Sequence, residues 1–105
     1  MIIDTHTHLY DEDFSEDFGQ VIQRAKGIGV CKCIMPSVDL STYDRMCETE
    51  RLLEGFAYPT IGLHPTSVKS DWENELQFMK ERLKERDFCA VGEIGLDGHW
   101  SREYM

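Results

Sequence analysis

Asp4, His6 and His8 alternate with Ile3, Thr5 and Thr7 near the N-terminus. Side chains of an extended chain point to alternate faces, so this spacing puts all three polar groups on one face of a strand. Two imidazoles two positions apart on such a face can share one metal ion, and imidazole suits zinc, manganese or iron. Asp4 could orient a ligating imidazole through its second nitrogen. The ordinary competing reading is a histidine-rich surface strand. Three polar groups gathered at the C-terminal end of one strand favour the metal.

A carboxylate to complete such a site stands in Val91-Gly92-Glu93-Ile94-Gly95, at the tip of an apolar run whose glycines allow close backbone approach. In parallel α/β folds that tip is where ligands bind. A lone glutamate there is more often a helix cap or loop ion pair, but with His6 and His8 it makes a site of two histidines and a carboxylate. Gly62-Leu63-His64-Pro65 brings His64 to the same rim, where a role in the site and a plain loop histidine stand level. Asp97 follows in the next loop and could orient Glu93 or a substrate group, or cap a turn with Gly98. His99, Trp100 and Tyr104 at the end of the chain receive no role.

Other chemistries lack their residues. The cysteines at 31, 33, 47 and 89 have neither CxxC nor zinc-finger spacing and read as reduced core thiols, with Cys31 and Cys33 on one strand face. No GxGxxG or P-loop marks a nucleotide site, and no nucleophile elbow is present.

The elements that must carry these residues are repeated βα units. Apolar runs at 1–8, 30–35, 57–62 and 89–93 read as parallel strands, and amphipathic stretches at 15–27, from the 39–41 cap region to 53, and at 72–86 read as helices. Phe18, Val21, Ile22 and Ala25 form the buried face of the first helix, with Ser15 its N-cap and Gly27 its C-cap. Tyr43, Met46, Cys47 and Leu53 face inward on the second, which Gly55 ends. Trp72, Leu76, Met79 and Leu83 make the stripe of the third, and Ser101 caps a fourth that has barely begun. Four strands and three helices in this order leave the first and last strands with open edges.

The three segments Ile3-Asp4-Thr5-His6-Thr7-His8, Gly62-Leu63-His64-Pro65 and Gly92-Glu93-Ile94-Gly95-Leu96-Asp97 together resemble the N-terminal motifs of the TatD family. That family comprises metal-dependent hydrolases of the amidohydrolase-like group, folded as a TIM barrel, some with deoxyribonuclease activity. The resemblance implies that His6 and His8 ligate one divalent ion (Mg, Mn or Zn) and that Glu93 can bridge two. It places His64 in the substrate pocket near a phosphate, and Asp97 within the motif. It departs at Gly98 and His99, where the family usually continues with Tyr or Phe, which bears on the pocket's shape. Two further histidines and a late aspartate complete the family's two-metal centre and lie downstream of these motifs. A TIM barrel takes about 250 residues, so the 105 present are expected to form one partial domain, the N-terminal half of the barrel. Such a piece would hold at most one metal and be inactive alone.

Composition sets the remaining expectations. With 11 basic and 20 acidic residues the net charge is −9, which repels polyanions. A DNA or phosphate-ester substrate would therefore be held through metal charge. Mean hydropathy of −0.43 and the lack of an apolar run near the roughly 18 residues of a membrane span argue against a membrane partner. The polar start after Ile3 lacks a leader's basic and apolar regions, so the cytoplasm is the expected location. Two alternatives stay open: a barrel hydrolase of an amide or small phosphate ester, and a non-catalytic half-barrel that self-associates through its exposed sheet edges.

Overall fold

A computed structural model describes residues 1–100, 102 and 103 of the chain. Three parallel strands, β1 (Ile2–Asp4), β2 (Val30–Met35) and β3 (Ala57–Pro59), form a sheet in the order β1-β2-β3. The helices α1 (Phe18–Gly27), α2 (Leu40–Leu52) and α3 (Trp72–Glu85) connect and follow them. Cys33, Met35, Ile22, Met46, Phe56, Ala57 and Ile61 meet in one apolar core, and Met35 is fully enclosed.

Local chemistry sets the helix boundaries. α1 starts later than its cap signal suggests, because Asp11 accepts the Asp13 N–H and winds Glu12–Phe14 into a short 3-10 turn. Ser15 ends that turn instead of capping α1, whose N-cap is Asp17. Ile22 is buried, and Phe18, Val21 and Ala25 pack beside it, as the periodicity predicts. The chain then turns through Gly29 at φ 101°, a conformation that favours glycine. α2 opens on a capping box in which Asp39 accepts the Thr42 N–H and the Thr42 hydroxyl accepts from the Asp39 N–H.

Other expectations change as well. The first strand keeps only Ile2–Asp4, since the Asp4 carboxylate accepts the His6 N–H and turns the backbone out of the ladder. The expected fourth strand is reduced to one parallel bridge between Ile61 and Val91, so among the described residues the sheet has three strands and not four. Its thin pairing leaves the α3 stripe half covered: Met79 is buried, whereas Trp72, Leu76 and Leu83 line an open cleft of about 340 Å³ with Val91 and Ile94. Only Cys33 of the β2 thiol pair is buried, because the first half of that strand faces solvent. Ser101, the expected cap of a fourth helix, lies outside the described residues.

Candidate metal centre

The backbone after β1 is pinned twice. Asp4 Oδ1 holds the His6 N–H at 3.1 Å, and the Thr7 N–H donates to the Ile34 carbonyl at 3.1 Å. Asp4 thus engages the main chain of His6, where the sequence suggested its ring. Between these anchors and the β2 tip, His6 and His8 turn their Nε2 atoms to the same carboxylate.

That carboxylate belongs to Glu93, which is fixed by backbone bonds to the tips of two neighbouring strands. The Glu93 N–H donates to the Ser37 carbonyl at 2.9 Å, the Ser37 N–H donates to the Gly92 carbonyl at 3.1 Å, and the Gly92 N–H donates to Ile61 at 2.9 Å. Thr60, buried beneath, accepts the Ser37 N–H on its hydroxyl, which lies 2.8 Å from the Gly92 carbonyl. Gly62 is obligatory for this approach, because a Cβ there would stand 2.7 Å from the Gly92 carbonyl carbon and oxygen.

Glu93 Oε2 lies 3.5 Å from His6 Nε2 and 3.6 Å from His8 Nε2. It is buried and has no hydrogen-bond partner among the described residues. A buried carboxylate oxygen without a partner is costly unless a cation meets it. The three candidate ligand atoms, one each from His6, His8 and Glu93, lie within 4.8 Å of one another. Two atoms each about 2.1 Å from a shared ion at a tetrahedral angle stand about 3.4 Å apart, so the spacing of the carboxylate from each imidazole fits a divalent cation. Burial, followed by the charge of His6, pushes the His8 imidazole below its ordinary pKa, which keeps its lone pair available for a metal near neutral pH.

His64 serves the same carboxylate from the other strand tip. Its N–H donates to the Val38 carbonyl at 2.8 Å, and its side chain caps the turn Pro65–Ser67 by accepting the Thr66 N–H on Nδ1 at 3.1 Å. With Nδ1 an acceptor, a neutral His64 carries its proton on Nε2, and that nitrogen lies 3.0 Å from Glu93 Oε1. His64 therefore faces the oxygen that His6 and His8 do not. Asp97 accepts the N–H groups of His99 and Trp100, capping the turn after the Glu93 segment. An open cleft of about 290 Å³, lined by Thr5, His6, Pro36, Thr60 and Glu93 among others, gives access beside the carboxylate.

Tyr10, Ser37, Thr60 and Thr66 also build the site, and none stood out in the sequence. Tyr10 had a readable signal, since it continues the alternation of Asp4, His6 and His8 by one more step. The others act through backbone contacts that no spacing rule reveals.

The family model described as TatD related DNase matches residues 3–105. The chain is 35% identical over 102 residues to the uncharacterized metal-dependent hydrolase YabD of Bacillus subtilis, covering 97% of this chain and 40% of that protein. It is 27% identical to the 3'-5' ssDNA/RNA exonuclease TatD of Pantoea vagans, covering 98% of this chain and 42% of that one. The crystal structure of YjjV, a TatD homologue from Escherichia coli K12, superposes with a TM-score of 0.79 at 32% identity, over 93% of this chain and 38% of YjjV. The chain thus spans about two fifths of the length of these relatives. Sequence and fold agree, and the chain belongs to the TatD family of metal-dependent hydrolases.

Proposed function

We propose that the complete protein is a metal-dependent hydrolase of phosphodiester bonds in DNA, and that residues 1–105 are a single partial domain forming the N-terminal half of its barrel. The observation that carries this reading is the buried, unpartnered Glu93 Oε2 between His6 Nε2 and His8 Nε2. His6, His8 and Glu93 would hold the cation, as the chemistry of two imidazoles and a carboxylate suits. A divalent ion there supplies Lewis-acid polarisation of a phosphoryl oxygen and a lowered pKa for water. His64 steadies Glu93 through Oε1, and Asp4 holds the His6 backbone. The family model described as TatD related DNase and the relative named an ssDNA/RNA exonuclease support a DNA substrate, and a bound cation lets a chain of net charge −9 meet a polyanion.

Residues 1–105 hold one cation at most and are inactive alone, because the resemblance puts the second metal's histidines and the aspartate further along. The full-length protein is expected to degrade single-stranded DNA with added Mg²⁺ or Mn²⁺, and its His6→Ala variant to lose that activity. Turnover of amides or small phosphate esters without nuclease activity would overturn the DNA assignment. A second reading, self-association of the half-barrel, is favoured by the exposure of Ile2 and Ile3 on the β1 edge and of Val91, which bridges to Ile61 beyond β3. Light scattering during size exclusion tests it, and a clean monomer would contradict edge pairing.

A further inference from the structure

Tyr10 is buried in the core, yet its hydroxyl reaches two polar groups of the site. It donates to the Pro36 carbonyl at the tip of β2, and it lies 3.0 Å from His8 Nδ1. A carbonyl can only accept, so the single phenolic proton is committed to Pro36. The Tyr10 oxygen must then accept at His8, and a neutral His8 carries its proton on Nδ1. The opposite holds at His64, whose Nδ1 accepts from the Thr66 N–H. Two histidines on one carboxylate are thereby held in opposite tautomers. His8 presents a bare Nε2 lone pair to Glu93 Oε2, and His64 presents an N–H to Oε1.

We propose that Tyr10 is a positioning residue that fixes His8 as its Nδ1–H tautomer and aims the Nε2 lone pair at the Glu93 carboxylate. A histidine free of such a partner favours the Nε2–H form, in which that lone pair is lost to a proton. Bonding at the remote ring nitrogen sets tautomer and orientation at metal-ligating histidines in general. Here the phenol is anchored on β2, so the ring direction of His8 is tied to the sheet and not to the loop that carries it. The tautomer assignment stands on hydrogen-bond geometry, and its consequence for a cation rests on the reading of the site as a metal centre.

Long-range ¹H–¹⁵N correlation spectra of the EDTA-treated chain, recorded where imidazoles are neutral, report the protonated nitrogen of each ring. The wild type is expected to show Nδ1–H for His8 and Nε2–H for His64. In Tyr10→Phe, His8 shifts to Nε2–H while His64 keeps its pattern, which also certifies that the variant is folded. Titration with Zn²⁺ is expected to show affinity lower by about tenfold or more in the variant, the usual effect of removing such a partner. An Nε2–H pattern for His8 in the wild type overturns the proposal whether or not the variant folds, as does a tautomer or affinity that Tyr10→Phe leaves unchanged. A wild type with His8 as Nδ1–H that takes up no Zn²⁺ upholds the tautomer assignment and overturns the metal-centre reading instead.

Discussion

His64 Nε2 lies 3.0 Å from Glu93 Oε1, while the carboxylate's other oxygen faces His6 and His8. Glu93 therefore divides its oxygens between His64 and the two imidazoles proposed to share a cation with it. Replacing His64 by Ala is expected to weaken Mn²⁺ affinity several-fold, whereas His6→Ala removes a donor and abolishes measurable uptake. Calorimetric titration of both variants checks this order, and equal losses would contradict it.

Gly62→Ala should harm the site without removing a polar side chain. The new Cβ would meet the Gly92 backbone at 2.7 Å, and backbone cannot yield as a side-chain end can. The Gly92 and Glu93 segment has to shift, at a cost of about 1–3 kcal/mol for such overpacking. Urea unfolding and Mn²⁺ titration of the variant are expected to show both losses together. A variant with full affinity would mean that the close approach is dispensable.

Acid should weaken the cation-free chain through His8. Its folded-state pKa is lowered from 6.5, chiefly by burial, so the unfolded chain takes up the proton first. The contribution is zero well above 6.5 and becomes destabilising as pH falls through 6.5 to the lower folded value. The difference in urea midpoint between wild type and His8→Asn, measured in EDTA, isolates this effect. That difference should shift against the wild type on acidification, and a shift in its favour would contradict the sign.

Asp39→Ala removes the capping box of α2, in which Asp39 Oδ1 accepts the Thr42 N–H at 3.1 Å. The expected loss is about 1 kcal/mol. It should also loosen His64, whose N–H is held by the neighbouring Val38 carbonyl. Chemical denaturation gives the first quantity, and amide exchange at His64 the second.

Much of this architecture was legible from periodicity. The buried face of α1 follows from Phe18, Val21, Ile22 and Ala25, and β2 has the predicted bounds. The misread parts lie where local polar chemistry outranks pattern. Asp4 turns the first strand out of the ladder by capping His6, and Asp11 winds the turn that displaces the start of α1. The fourth strand shrinks to the Ile61 and Val91 bridge, since apolar character reports burial and not the number of ladder bonds. Alternation put His6 and His8 on one face of the chain, and both turn to Glu93. It could not show that Tyr10 and Thr66 set the proton positions of His8 and His64, because those roles depend on which hydrogen bond each ring nitrogen makes.

His6, His8 and Glu93 are proposed to form one cation site, which metal stoichiometry by calorimetry and elemental analysis measures. Wild type and a Cys31→Ala control are expected to bind one Mn²⁺ or Zn²⁺ per chain. Glu93→Gln keeps the shape of the side chain but loses its charge, and is expected to bind none. Undiminished metal in Glu93→Gln would contradict the assignment.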